Sequence, residues 1–237
     1  MFKFLFIKYT LTISTLWNMN TNDLGFIKNI YFICGVFLFI IISGSIWLYK
    51  TTRRIISIED LPRNIYGIKL TGIVTYVGDG DGFRFYHTPW FRDKKIVGNI
   101  KTLSIRIAGI DSPEMRHWDI EEQELAVESK NYLSQLIFRK TVQIILIKID
   151  RYSRILAMVY LPGIIERKNI AIEMVKAGMA CVYIGSDFEY CGSIDKLKKT
   201  EEDAKRRKIG IWGLNNYVSP MEHKKKMRSK RKEKHKP

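Results

Sequence analysis

The segment Ser104-Ile-Arg-Ile-Ala-Gly-Ile-Asp-Ser-Pro-Glu114 is mostly apolar, carries a single arginine and ends in a proline turn with two carboxylates. In a strand, alternate side chains face opposite surfaces, so Ile105 and Ile107 share one face and Arg106 lies on the other. A guanidinium on a half-apolar strand needs an anionic partner, because burying an unpaired charge is costly. The sequence therefore predicts that Arg106 meets either a protein carboxylate or the phosphate of a ligand.

The turn from Asp111 to Glu114 has two interpretations. Proline lacks a backbone donor and moves the preceding residue away from helical conformations, so Asp-Ser-Pro-Glu predicts a bend. In the first interpretation Asp111 is an ordinary turn residue and Glu114 begins a helix. In the second, both carboxylates belong to an active site. This segment alone favours neither.

Two further segments favour the active site. Residues 72–86 read as a strand, a reversal containing Asp79-Gly-Asp81-Gly, and a second strand, which is the pattern of a β-hairpin. A hairpin needs only one Asp-Gly pair, so one carboxylate is left over for chemistry. Residues 142–160 predict another pair of apolar strands. Four polar residues crowd the junction of this second pair: Asp150, Arg151, Tyr152 and Arg154.

In this order and at these intervals, the three segments resemble the thermonuclease family, also called staphylococcal-nuclease-like domains. The resemblance covers residues 66–212 and rests on Asp79-Gly-Asp81, on Arg106-x-x-x-x-Asp-Ser-Pro-Glu114 and on Asp150-x-Tyr-x-Arg154. Each motif is weak by itself, but the ordered set is specific. The resemblance implies a nuclease that hydrolyses phosphodiester bonds of DNA and RNA with little sequence preference.

The remaining pattern of the domain predicts an α+β fold. Apolar periodicity indicates helices at residues 120–138, at 170–176 with Gly178 as the C-cap, and at 193–208. Five short strands, with helices after the third and the fifth, describe a small closed β-barrel of OB-like topology. Such barrels commonly bind oligonucleotides, although a fold alone does not establish an activity. We expect a monomer, and no protein partner can be read from the sequence.

The resemblance also implies a calcium site. In the family, the corresponding positions that hold the ion are Asp81, Asp111 and the backbone carbonyl of Ser112. These are hard oxygen ligands, which suit Ca²⁺, and water and a substrate phosphate oxygen would complete its coordination.

Catalytic roles follow from the same resemblance. Glu114 matches the residue that activates the attacking water, and Arg106 and Arg154 match the two arginines that stabilise the phosphoryl transition state. Arg151 and Tyr152 match positions that line the nucleotide cleft, but an exposed Arg-Tyr pair is equally typical of a solvated strand end. The alternative function is a catalytically inactive, membrane-anchored module that binds nucleic acid or protein. Because no member of the catalytic set is missing, the enzyme is the favoured prediction.

The N-terminal region is a different kind of sequence. Residues 30–49 carry no charge and are rich in Ile, Phe and Leu, which predicts one transmembrane helix. Lysines and arginines occur on both sides of it, so the positive-inside rule does not assign an orientation. A short leader, one span and a nuclease domain resemble the arrangement in fungal membrane-anchored endonucleases of this family that are assigned to mitochondria. The mitochondrion is therefore the expected compartment.

The C-terminal region is strongly basic. Residues 222–237 hold nine Lys or Arg against two Glu, so they contribute +7 of the formal net charge of +16. Such a tail is usually disordered, and it suits either nucleic-acid phosphates or anionic lipid. The predicted organisation is a leader (1–29), the transmembrane helix (30–49), a linker (50–65), the nuclease-like domain (66–215) and a disordered basic tail (216–237).

Overall fold

The computed structural model describes residues 21–89, 101–116, 121–163, 166–183, 192 and 194–234. The chain divides into two compact units, residues 1–53 and residues 54–237. The predicted sites all fall within the described part of the second unit. Ser193, the first residue of the third predicted domain helix, lies outside the described residues.

The first unit contains one long helix, α1 (Thr21–Thr52). Its residues Ile30–Thr52, 23 in number, are long and apolar enough to cross a membrane, and none of that stretch is buried within the protein. The apolar side chains that face outward along it include Phe32, Phe39 and Trp47. A helix with apolar side chains all round is typical of a membrane span, since water is a poor solvent for such a surface. The helix is longer than the predicted segment 30–49.

The second unit is built on a closed five-stranded barrel. Its strands are β1 (Lys69–Val77), β2 (Gly82–His87), β3 (Leu103–Ile107), β5 (Thr141–Ile149) and β6 (Ile155–Leu161). They are hydrogen-bonded in the order β3-β2-β1-β5-β6. A parallel pairing of β3 with β6 closes the barrel. The predicted α+β class and OB-like barrel are therefore confirmed.

Alternation along the strands directs one set of side chains into the barrel. In β3 the residues Leu103, Ile105 and Ile107 are buried, while Arg106 between them is only partly buried. This is the alternation that the sequence predicted for the segment. The barrel core is a cluster of aliphatic and aromatic side chains that includes Phe85 and Leu146. A polar residue on β3 must therefore face away from that core.

Short elements and helices cover the barrel. Two two-residue strands, β4 (Ile110–Asp111) and β8 (Cys181–Val182), pair with each other, and β7 (Lys168–Asn169) extends the sheet beside β6. The helices are α2 (Ala126–Ile137), α3 (Ile170–Lys176), α4 (Ile194–Arg206) and α5 (Pro220–Lys234). The first three confirm the three predicted domain helices. Gly178 has a φ of +63°, as expected of a residue that ends α3.

Two segments differ from the expectations. Residues 54–65, expected as a linker, contribute buried Ile65 and the partly buried Ile55 and Leu61 to the barrel core. Burying these apolar side chains against the barrel lowers the free energy of the folded chain, which a solvated linker would not do.

The tail expected to be disordered forms the helix α5 instead. Ser219 and Glu222 form a reciprocal capping box at its start: Glu222 N donates to Ser219 Oγ, and Ser219 N and Oγ donate to Glu222 Oε2. Pro220 takes the first helical position, where its missing N–H costs nothing. The expectation of disorder rested on the basic composition of this segment and did not take the capping box into account.

Candidate active site

Strand register brings the Asp79-Gly-Asp81 turn beside Arg106. Gly82 of β2 pairs with Arg106 of β3, and the backbone N–H of Ile107 donates to the Asp81 carbonyl at 2.8 Å. Asp81 is thereby held directly next to the arginine, on the side of the sheet that faces away from the core. Residues 25 positions apart in the chain meet because the barrel pairs β2 with β3.

One arginine joins the two predicted metal ligands. Arg106 Nη2 lies 2.7 Å from Asp111 Oδ1 and 2.9 Å from Asp81 Oδ2. The two carboxylate side chains are only 3% and 4% exposed, and the arginine is 17% exposed. The partner that the sequence required for Arg106 is therefore a pair of buried carboxylates.

Gly80 allows the turn to approach the opposite side of the site. A Cβ at this position would lie 2.0 Å from Ser129 Oγ of α2 and 2.7 Å from Ser112 Cβ, closer than real Cβ contacts. Ser129 is fixed in turn because its hydroxyl donates to the Met179 carbonyl at 2.6 Å. The small residue between the two aspartates therefore lets Asp81 sit close to the Ser112 turn.

Glu114 is positioned by its backbone. Its N–H donates to Gln123 Oε1 at 2.9 Å, and its carbonyl accepts the Gln123 N–H at 3.0 Å. Gln123 Nε2 in turn donates to the Val218 carbonyl at 3.1 Å. One glutamine thus ties the predicted catalytic turn to the segment that leads into α5. The Glu114 side chain is 19% exposed, which leaves it accessible.

A second cation enters the site from α5. Lys224 Nζ lies 2.6 Å from Glu114 Oε1 and 3.1 Å from Asp111 Oδ1. The site therefore combines three carboxylates and two cations: Asp81, Asp111, Glu114, Arg106 and Lys224.

The second predicted arginine lies on a separate hairpin tip. Asp150 Oδ1 accepts from the backbone N–H groups of Tyr152 and Arg154, and Asp150 Oδ2 accepts from Arg154 Nε at 2.8 Å. Ile155 pairs with Ile105 at the start of β6, so Arg154 precedes a strand that neighbours the strand of Arg106. Its guanidinium is bound to this local carboxylate rather than to those of the site.

Arg151 and Tyr152 lie at the same tip. The guanidinium carbons of Arg151 and Arg154 lie 4.9 Å and 5.4 Å from the centre of the Tyr152 ring. Tyr152 is 60% exposed, so its ring is open to solvent between two cations. An exposed aromatic ring flanked by guanidinium groups suits stacking and phosphate contacts with a nucleic acid.

Burial and charge set the protonation of the site. Burial raises the pKa of Asp81 well above the usual aspartate range, and the Arg106 charge opposes this only in part. Asp81 in turn raises the pKa of Arg106, against the effect of burial, so the guanidinium stays charged. Burial disfavours the charged form of Lys224, but Asp111 and Glu114 outweigh it and raise the pKa of that lysine. At the hairpin tip, burial raises the pKa of Asp150, but the hydrogen bonds and charge of Arg154 and the backbone N–H of Tyr152 outweigh burial. The pKa of Asp150 is therefore lowered.

The donor set fits a hard cation. Asp81 Oδ2 is buried and makes no hydrogen bond to the described part of the chain, although it lies at ion-pair distance from Arg106. Ser112, 2% exposed, follows Asp111 directly and supplies a backbone carbonyl. In residues 21–234, apart from the segments left undescribed, no cluster of three or more His, Cys, Asp or Glu is arranged to bind a metal. The predicted set consists of two carboxylates and one backbone carbonyl, which are oxygen donors of the kind that Ca²⁺ prefers.

Sequence reasoning missed Gln123 and Lys224. Lys224 is 113 residues from Asp111 in the chain and belongs to a run of similar lysines, so nothing local distinguishes it. The capping box at Ser219 could have predicted the helix that carries it. Gln123 carries no comparable signal, because its role depends on two backbone groups that only the fold brings together.

Comparisons with known proteins agree with this architecture. The chain matches the family model described as Staphylococcal nuclease homologue over residues 104–214. A protein named probable endonuclease from Schizosaccharomyces pombe is 36% identical over 194 residues, covering 71% of this chain and 84% of the relative. Probable endonuclease lcl3 from Pyrenophora tritici-repentis is 37% identical over 185 residues, covering 71% and 68%. Probable endonuclease LCL3 from Komagataella phaffii is 32% identical over 212 residues, covering 83% and 92%.

Proposed function

We propose that this chain, which belongs to the staphylococcal nuclease family, is a membrane-anchored, Ca²⁺-dependent endonuclease that hydrolyses DNA and RNA. Family membership and the names of its relatives support the nuclease class. The observation that carries the finer proposal is the meeting of Asp81, Arg106, Asp111 and Glu114 in one half-open site on a closed barrel. Two buried carboxylates beside an accessible one supply both a cation site and a group for activating water.

Each residue has a distinct role in the proposed mechanism. Asp81, Asp111 and the Ser112 carbonyl would hold Ca²⁺, which polarises the phosphate and offsets charge that develops on it. Glu114 accepts the proton of the attacking water, since its side chain is accessible and is not a proposed metal ligand. Arg106 orients the two ligand carboxylates and, through its remaining donors, binds a non-bridging phosphate oxygen.

Arg154 provides the second positive charge in the transition state. Its side chain is 30% exposed, and its only described carboxylate partner is Asp150, which is itself partly exposed. An ion pair of that kind is weak enough for a phosphate to replace. Arg151 and Tyr152 bind the flanking nucleotides through charge and stacking.

The decisive experiment is cleavage of single-stranded DNA by the full-length chain in detergent with Ca²⁺, with Mg²⁺ and with a chelator. Glu114→Gln is expected to lower turnover by about 10²–10⁴-fold, the usual contribution of a general base. Glu128→Gln, an exposed glutamate on α2, is the matched control and is expected to cleave normally. Near-normal cleavage by Glu114→Gln contradicts the mechanism.

The same assay tests the alternative function. A protein that binds the DNA but does not cleave it under any of the three conditions would be the inactive binding module. In that case Arg106 and Arg154 are expected to contribute to affinity only, and binding should weaken as the salt concentration rises.

The membrane anchor rests on α1, whose apolar 23-residue stretch is unburied within the protein. Full-length protein is expected to stay in the membrane pellet after alkaline carbonate extraction. Replacing Ile40 and Ile41 by arginine should release it, because each charge at the centre of a span costs about 2.5–3.5 kcal/mol on insertion scales. A mature protein shortened past α1 would identify this helix as a cleaved signal instead. The mitochondrion is proposed on the family resemblance, and organelle fractionation tests it.

A further inference from the structure

Lys224 is a cation built into the site by the C-terminal helix. Its ammonium contacts Glu114 and Asp111, the residues proposed to activate water and to bind metal. The Lys224 side chain is only 27% exposed, so most of it is removed from solvent. Most lysine side chains extend into water, and this one is instead directed into an acidic pocket.

The placement of α5 is specified by several contacts. Gln123 bonds to both the Glu114 backbone and the Val218 carbonyl, which fixes the entrance of the helix beside the catalytic turn. Just upstream, the Tyr217 ring packs on the Trp212 ring, with centroids 4.7 Å apart. The capping box at Ser219 then starts the helix, and Lys224 lies in its second turn. The lysine thus reaches the carboxylates from a docked helix.

Lys224 and a metal ion require the same oxygen atoms. Asp111 Oδ1 already accepts from Arg106 at 2.7 Å and from Lys224 at 3.1 Å. Lys224 contacts two of these carboxylates, so removing its ammonium makes the summed charge of the site more negative by one unit. Attraction of a divalent cation grows with the negative charge of its site, and two cations on one carboxylate repel each other.

We propose that Lys224 is an intramolecular competitor of the divalent cation, so that metal binding requires α5 to withdraw its ammonium from Asp111 and Glu114. This rests on the proposed metal site and extends it, because the basic helix then controls access to the site. Withdrawal also frees Glu114 to accept a proton from water, since an ammonium bound at 2.6 Å occupies its oxygen. The released helix carries eight Lys or Arg and can then bind substrate phosphates.

The test is calorimetric titration of Ca²⁺ into full-length protein in detergent, comparing Lys224→Met with Lys225→Met. Lys225 is the next residue on α5 and is exposed, so its substitution by methionine removes the same charge from the same helix. Lys224→Met is expected to bind Ca²⁺ about tenfold more tightly than the wild type, a typical coupling between competing ligands, and Lys225→Met to bind it unchanged. An unchanged or weakened affinity in Lys224→Met overturns the proposal, as does an equal gain in both variants.

A second measurement follows the helix itself. Hydrogen exchange of the peptide covering Pro220–Lys234 is expected to accelerate in the wild type when Ca²⁺ is added, because the metal displaces the contact that holds α5. Unchanged exchange at saturating Ca²⁺ contradicts displacement.

Asp111→Asn separates this inference from the proposed function. If wild-type Ca²⁺ binding is lost in Asp111→Asn but Lys224→Met binds no more tightly than the wild type, the metal site stands and the competition fails. If neither wild type nor Lys224→Met binds Ca²⁺, both the metal site and the competition are wrong.

Discussion

Arg106 and Arg154 were predicted for the same task, but the regions that carry them are built differently. Arg106 lies within a barrel strand and joins two carboxylates that are almost fully buried. Arg154 ends a hairpin turn, and its carboxylate partner, four residues earlier, is 21% exposed. In the proposed mechanism, the first arginine therefore organises the site before substrate arrives, whereas the second exchanges its weak local partner for a phosphate.

The largest loss of stability and of turnover is expected from Arg106→Ala. It leaves Asp81 and Asp111 buried without their cation, which should destabilise the domain by about 3–5 kcal/mol. Turnover should fall on the order of 10³-fold or more, since a transition-state donor and the order of the metal ligands are both lost. Thermal unfolding and cleavage assays measure the two effects. Added Ca²⁺ should stabilise this variant more than the wild type, and a stability that is unaffected by the substitution would contradict the proposed role of Arg106.

Arg154→Ala should separate catalysis from stability. Turnover should fall about 10²–10³-fold, as for loss of one transition-state donor. Stability should change by no more than about 1 kcal/mol, because the lost ion pair is partly exposed. Ca²⁺ affinity measured by calorimetry should match the wild type. If Arg154→Ala unfolds as easily as Arg106→Ala, the contrast between the two regions is wrong.

A smaller loss of stability is expected from Gly80→Ala, in the turn that carries the buried Asp81. Its new Cβ would collide with Ser129 and Ser112, so the turn must shift, at a cost of about 1–3 kcal/mol. Ca²⁺ affinity should weaken as Asp81 moves. Gly78→Ala is the matched control, because its Cβ would meet nothing closer than 3.8 Å. Equal unfolding temperatures for the two variants would show that the turn is not tightly packed.

The smallest effect concerns the pH dependence of Asp81. Burial raises the pKa of this carboxyl in the folded protein. A raised folded pKa means that the protonated form favours folding and that this stability is lost as the pH rises through the folded pKa. Asp81→Asn should therefore raise the Tm of metal-free protein by a few degrees above that pH, while Ca²⁺ binding is lost. A lower Tm in the variant would mean that the pair with Arg106 outweighs burial.

Much of the fold, and most residues of the candidate site, could be predicted from the sequence. Alternating apolar residues around Arg106 specified a half-buried strand, and periodic apolar residues specified the three domain helices. The uncharged stretch 30–49 likewise predicted an apolar helix, whose observed limits are wider. These features depend on local spacing, which a single sequence displays directly. The ordered motifs identified the family for the same reason, because each is a short stretch whose residue spacing can be read directly from the sequence.

Tertiary structure decided which of these residues meet and what else joins them. The pairing of β2 with β3 puts Asp81 beside Arg106, and the docking of α5 brings Lys224 to Glu114. The ion pair of Arg154 with Asp150 is local by contrast, since the two residues are four positions apart in one turn. Contacts between distant residues depend on register, barrel closure and helix packing, and no local pattern encodes them. A lysine within a run of lysines therefore becomes part of the site only through the position that the fold gives it.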